Sequence, residues 1–429
     1  MIRFTLLRVF AGMLALACGP SWAEVTTAET WPQWRGPNRD GIVGKSTAWP
    51  DQLSGEALKQ LWRIPLGPSY SGPIVSPSLV FTTETVDRKV ERVRAVDRRT
   101  GELVWDAQWE GALSVPFFAK ANGDWIRSTP TYDGECLYVA GMRDVLVCLD
   151  GDTGVERWRY DFAEELEAAL PAFGCVCSPL VAGPHVYIQA GAGLCKLDKN
   201  TGELLWRKLV DGGGMWGSAF SSPVLAEIAG RKQLLVQTRT KLAGVDPETG
   251  EELWSREIPA FRGMNILTPA VLDDLVFTSS YGGKSLLFKI NSEDGAFAAE
   301  DVWENKASGY MSSPVVIDGH IYMHLKNQRF TCIDAQSGES RWTTSPFGKY
   351  WSLVANGDRI LALDERGELL LLQADPAEFK QLDSRTISDD PTWAHLAVCG
   401  DELFIREQNA LAAYRWQARL DESASSSGR

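Results

Sequence analysis

Cysteines in close pairs, histidines on one strand face and cations beside aromatic rings are the side chains of this sequence that could do chemistry. Cys175-Val176-Cys177 is the one close thiol pair. Without a matching Cys/His cluster it reads either as a redox or metal site or as two small buried hydrophobes. Of the four histidines, His320 and His324 lie four apart, so a strand would put both on one face, as a polar surface pair or as two metal ligands lacking partners. The densest set is cationic and aromatic: Trp125, Arg127, Arg143, Trp216, Arg239, Tyr310, Lys326, Trp351, Arg366 and Trp393. Cations beside ring faces suit an anionic or planar ligand, a sugar or a peptide; the alternative is that the rings plug a channel while the cations bond loop carbonyls.

What must position these residues is a repeated unit. Asp-x-x-Thr/Ser-Gly, with Trp eight residues after the Asp, occurs at Asp97, Gly101 and Trp105; Asp150, Gly154 and Trp158; Asp198, Gly202 and Trp206; Asp246, Gly250 and Trp254; and Asp334, Gly338 and Trp342. A weaker copy begins at Asn291, with Asp294-Gly295 and a displaced Trp303. The first Asp-to-Asp steps, 53, 48 and 48 residues, fit four-stranded propeller blades. Asp and Thr can bond nearby backbone N–H groups and Gly accepts the positive φ of a tight reversal, so the motif is a hairpin turn. The Trp after it is too large for one sheet to bury and should be covered by the next blade.

Blade starts are marked separately by Gly72-Pro73, Thr129-Pro130, Ser178-Pro179, Ser222-Pro223, Thr268-Pro269 and Ser313-Pro314, then Trp351-Ser352 and Trp393-Ala394. Eight starts predict an all-β, eight-bladed propeller of four-stranded antiparallel blades over residues 58–418. The last blade lacks its Trp-ending strand, and Gln60-Leu61-Trp62-Arg63-Ile64 is such a strand with no blade before it. The expectation is that this N-terminal strand completes the last blade and leaves no edge. In that ring the loops joining outer to next inner strands, and those within each middle hairpin, converge on one face; the second set also brings Arg88, Lys284 and Arg406 there.

Residues 1–23, with Arg3, Arg8, the apolar run Val9 to Ala17 and Ser21-Trp22-Ala23, read as an export signal. Cys18 after Leu14-Ala15-Leu16-Ala17 leaves lipid attachment open. Residues 24–57 form an arm rich in Trp, Pro and Gly, whose indoles at Trp31 and Trp34 should dock on the blades and close one mouth or side. Residues 419–429 read as a disordered tail. The formal charge of −13 becomes −15 once the signal, with two Arg and no acid, is removed. Such a surface excludes nucleic acid as a main partner. Seven cysteines remain (136, 148, 175, 177, 195, 332 and 399), an odd number that leaves at least one outside any disulfide within the chain. No transmembrane segment is expected, and a monomer is.

The repeated Asp-x-x-Thr-Gly-x-x-x-Trp resembles the blade motif of pyrroloquinoline-quinone-repeat propellers, which include quinoprotein alcohol dehydrogenases and the propeller lipoprotein of the outer-membrane β-barrel assembly machinery. Trp31-Pro32-Gln33-Trp34-Arg35-Gly36-Pro37 resembles the opening of exported propellers of this kind common in planctomycete-type bacteria. The resemblance implies one of two functions. The first is a non-catalytic exported scaffold in the periplasm or cell envelope, binding a protein or small ligand through its loop face, with no cofactor and no metal. The alternative is a quinone-dependent dehydrogenase of an alcohol or sugar. Quinoprotein dehydrogenases hold their cofactor with an adjacent Cys-Cys ring, calcium and an Asp base. This sequence has no Cys-Cys dipeptide and no haem-attachment Cys-x-x-Cys-His. No nucleophile elbow or His-based triad supports hydrolysis either.

Overall fold

Each repeat turn forms because its Asp does what a short carboxylate can do locally. Asp97 Oδ1 accepts from the N–H groups of Arg99 (3.0 Å) and Thr100 (2.8 Å), and Asp150, Asp198, Asp246 and Asp334 repeat the pair. The turn then brings two strands together, and in a computed structural model, which describes residues 30–44, 49–217 and 220–417, thirty-two strands form eight four-stranded antiparallel sheets. The export signal, Cys18 and the tail from 419 lie outside the described residues. Blades one to seven occupy residues 74–110, 131–161, 180–208, 224–257, 270–305, 315–343 and 352–386. The eighth consists of residues 397–416 and the N-terminal strand Leu58–Pro65, which pairs with Ala410–Trp416 as the outermost strand.

In all eight blades the register between the outer two strands shifts by one residue, and in seven of them the shift falls just before the Trp, between Gln60 and Trp62 in the eighth. A bulge of this kind re-aims the following side chain. Six indoles thereby reach the neighbouring blade: Nε1 of Trp62, Trp105, Trp158, Trp206, Trp303 and Trp342 donates to the carbonyls of Arg98, Gly151, Lys199, Glu248, Ala335 and Asp375, at 2.8–3.1 Å. Five of the six rings, all but Trp342, lie against the motif glycine there; a Cβ on Gly154 would stand 2.4 Å from Trp105, and its φ of 72° already suits glycine.

Three blades depart from the pattern. Trp254, though buried, donates to Gln233 Oε1 in its own blade at 2.7 Å. Blade five has replaced the repeat turn with a two-residue hairpin, Asp294-Gly295, with positive φ at both positions (49° and 81°). In blade seven Asp383 occupies the Trp position, and its Oδ2 accepts from the N–H groups of Leu53 (2.7 Å) and Ser54 (3.1 Å). The arm thus anchored supplies Trp49, which stacks on Trp416 of blade eight at 6.3 Å and joins the core between blades seven and eight.

Around the channel a second ring of bonds uses the Ser/Thr before each Pro. Gly72 N donates to Thr129 Oγ1, Thr129 N to Ser178 Oγ, Ser178 N to Ser222 Oγ, Ser222 N to Thr268 Oγ1 and Thr268 N to Ser313 Oγ, at 2.9–3.4 Å. Blades seven and eight, with Trp351 and Trp393 at that place, fall outside it.

The arm closes one mouth, as expected. Trp31 exchanges both backbone bonds with Val75 at 2.9 Å, and Gly41 and Val43 bond Ala355. Arg35 and Arg39, both buried, act as spokes: Arg35 donates to the carbonyls of Asp40 and Pro314, Arg39 to those of Ser178, Pro179 and Pro223. The Pro carbonyls of blades three, four and six are thereby satisfied from inside the channel. All seven cysteines beyond residue 23 are buried, which fits the reading of small core hydrophobes.

Candidate functional site

The mouth opposite the arm is walled by loops that leave each outer strand, and these loops carry rings. Pro116-Phe117-Phe118, Pro171-Ala172-Phe173 and Pro259-Ala260-Phe261 enter it from three such loops. Ring centroids run from Phe117 to Phe118 (5.6 Å), Phe173 (6.1 Å) and Phe220 (5.9 Å) in one arc. A second arc runs from Phe261 through Tyr281 (5.8 Å), Tyr310 (4.3 Å), Tyr350 (5.7 Å) and Trp393 (4.5 Å) to Tyr70 (5.3 Å). The arcs enclose a vestibule of about 610 Å³. Beneath it, sharing Arg127, Val176, Phe220, Ile266, Met311 and Trp393, lies a channel of about 170 Å³ that reaches Trp34 of the arm.

Cations stand at the two ends of the arcs. The Arg127 guanidinium lies over Tyr70 at 5.3 Å, and Arg239 lies over Trp216 at 5.1 Å while donating to the carbonyls of Met215 and Arg262. Burial lowers the pKa of both from the usual guanidinium value. Lys326 sits 5.4 Å from the Tyr281 ring.

Of the residues expected from sequence, Arg127, Trp216, Arg239, Tyr310 and Trp393 line the vestibule, and Trp351 lines the channel below. Trp125 stands behind the wall under Arg88, at 5.7 Å. Arg143 and Arg366 are exposed and line neither space; Arg366 faces Glu365 at 3.5 Å. Three expectations need correction. Arg406 is no rim cation: it is buried and donates to the carbonyls of Gly67, Thr83, Gln408 and Ala410, because the strand carrying it turns its side chain into the seam between blades eight and one. Lys284 pairs with Glu304 and lines neither cavity. His324 belongs to no surface pair. It is buried and stacks on Trp351 at 4.6 Å, and desolvation pushes its pKa down to about 4. Among the described residues no group of three or more His, Cys, Asp or Glu could hold a metal ion, and no helix is long and apolar enough to cross a membrane.

Phe118, Phe173, Phe220, Phe261, Tyr281 and Tyr70 were not singled out from sequence. Recurrence of Pro-x-Phe in the loops after three outer strands was the available signal.

The family model described as outer membrane protein assembly factor BamB matches residues 89–344. The chain belongs to that family. BamB of Yersinia pestis is 22% identical over 264 residues, which are 57% of this chain and 63% of that protein, so the chain spans less than two thirds of that relative's length. Among solved structures, BamB from Moraxella catarrhalis superposes with a TM-score of 0.58 at 16% identity, over 83% of this chain and 99% of that one. Quinohemoprotein alcohol dehydrogenase from Comamonas testosteroni does so with a TM-score of 0.51 at 13% identity, over 93% and 82%. At such identities the BamB and dehydrogenase likenesses are alike ones of fold.

Proposed function

We propose that this protein is a non-catalytic propeller, exported to the cell envelope, that binds a protein partner there through the vestibule face. The observation that carries the reading is how much of the vestibule rim stands in water: Phe117 is 85% exposed, Phe118 55%, Trp216 63% and Phe261 53%. Clustered apolar exposure of this kind on a strongly acidic chain is what a partner would cover. The family's name concerns the assembly of outer membrane proteins, and from it we take the class of partner, a protein of the envelope. The export signal over residues 1–23 and, as the alternative tether, a lipid on Cys18 would bring the chain there.

The quinone reading is disfavoured by the chemistry of the channel. Calcium wants carboxylate and amide oxygens, and the channel lining of Ser, Thr, aromatic and aliphatic side chains supplies neither; one guanidinium faces what would be a tricarboxylate. The residues present do not fit that cofactor, and no cofactor is proposed.

The test is a variant carrying Phe118→Ser, Trp216→Ser and Phe261→Ser. Envelope proteins recovered with it after mild cross-linking should fall about tenfold against the wild type, with an unchanged melting curve. Equal recovery would contradict the proposal. Retention of added quinone and calcium through desalting would restore the dehydrogenase reading.

A further inference from the structure

The vestibule reading says where something binds; the channel beneath it bears on what. Among the described residues lining that channel Arg127 is the one charged side chain. It forms no ion pair with any described residue, its Nε lies buried without a hydrogen-bond partner, and its Nη2 donates to the carbonyl of Gly123 at 2.9 Å. The acid that acts on it, Asp124, is engaged elsewhere: its Oδ1 accepts from Val115 N at 2.9 Å. Glu365, the acid beside the Tyr350 ring, is taken up by the N–H groups of Lys349 and Tyr350. A half-buried guanidinium with no carboxylate in hydrogen-bond contact is costly, and holding one loop carbonyl does not require a positive charge.

The surroundings supply further donors. The hydroxyl oxygens of Thr129, Ser178 and Ser313 each accept a backbone N–H from the neighbouring blade, at 2.9, 3.1 and 3.2 Å, and all three residues line the channel. A hydroxyl that accepts in this way still has its own proton to give. Above them the vestibule walls are mostly rings and aliphatic side chains, with Arg239 and Arg262 among them.

We infer that the channel takes the carboxylate of a ligand whose body is apolar and ring-bearing, with Arg127 and the hydroxyl ring on the anionic head and the two aromatic arcs around the body. At the depth of the channel a planar monoanion matches one planar guanidinium fork better than a phosphate dianion, which would call for more cations than the channel lining holds; Arg239, in the vestibule above, spends donors on the carbonyls of Met215 and Arg262. The inference rests on the proposed vestibule function and narrows its ligand. Two sources share this chemistry: a small aryl carboxylic acid, and the free C-terminus of a polypeptide ending in an aromatic residue.

Calorimetric titration of the full-length protein separates them. The probes are 3-phenylpropionate against 3-phenylpropanamide, and an apolar tetrapeptide ending in Phe with a free against an amidated C-terminus. Each acid should bind about 10-fold more tightly than its amide, the span of a charge-assisted hydrogen bond. Arg127→Gln should abolish that difference while leaving the amide affinity in place. Preference for the peptide acid over the small acid would name a polypeptide end as the source; the reverse would name a small molecule. Should Arg127→Gln melt early, the acid–amide comparison on the wild type decides alone. Equal binding of acid and amide overturns the carboxylate inference and leaves the vestibule reading standing. No binding of any probe, while the three-residue rim variant still loses its envelope partner, also overturns this inference alone. Retention of the partner by that variant would be the failure of the vestibule reading itself.

Discussion

At the scale of single residues, the indole N–H is what couples one sheet to the next. Trp105 donates to Gly151 O at 3.0 Å and its ring fills the space over Gly154, so Trp105→Ala loses a buried aromatic and leaves that carbonyl without its partner. We expect a loss of about 3–5 kcal/mol in chemical denaturation; an unchanged curve would show that the ring does not couple the blades. A second residue sets a pH dependence. Glu91 is buried, accepts from Met142 N (2.8 Å) across the seam between blades one and two and from Trp109 Nε1 (3.0 Å) of its own blade, and desolvation pushes its pKa up to about 8. Its folded pKa lies above its unfolded value, so between about pH 4 and pH 8 the folded state binds the extra proton and stability falls as pH rises. Glu91→Gln should remove that slope, and melting curves of the two proteins that stay parallel from pH 5 to pH 8 would contradict the assignment. The Asp-Thr-Gly turns were legible in the sequence because their bonds reach only two or three residues along the chain. The blade carbonyls that Arg35 and Arg39 reach were not, since those partners lie far away in sequence and meet them only when the ring closes. His324 was misread for the same reason: what buries it is Trp351, from the loop before the next blade.

At the scale of elements, the strand Leu58–Pro65 does two things at once: it completes the sheet of blade eight and brings Trp62 to the carbonyl of Arg98 in blade one. Its role could be read beforehand because the repeat ends on Trp and this copy had nothing before it. Removing residues 1–65 should expose Ala410–Trp416 as an edge, and we expect oligomers by light scattering together with a lower melting temperature. A monomeric truncation as stable as the full chain would refute the closure. The second fastening, Asp383 holding residues 53 and 54 so that Trp49 fills the core between blades seven and eight, carried no sequence signal. An Asp in place of a Trp looks like a degraded repeat until the segment it holds is known.

At the scale of the whole molecule, closing the ring makes its two mouths unequal. The arm fills one with buried arginines and Trp31, and the other opens as a vestibule walled by aromatic rings. The number of blades and which loops share a face followed from repeat counting. Which loop residues point inward did not, because a loop's side-chain direction is fixed by the loops beside it; Arg143 and Arg366 share the face of Arg127 without reaching the cavity. The open mouth is proposed as the binding face. The direct measurement is photo-cross-linking in cells, with a photoreactive phenylalanine placed singly at Phe118 and Phe261 on the vestibule rim, and at Leu103 and Val155, exposed positions beyond the repeat turns at the other end of the outer strands. Discrete protein adducts are expected from Phe118 and Phe261 and none from Leu103 and Val155. Adducts confined to Leu103 and Val155, or equal at all four positions, would contradict that assignment.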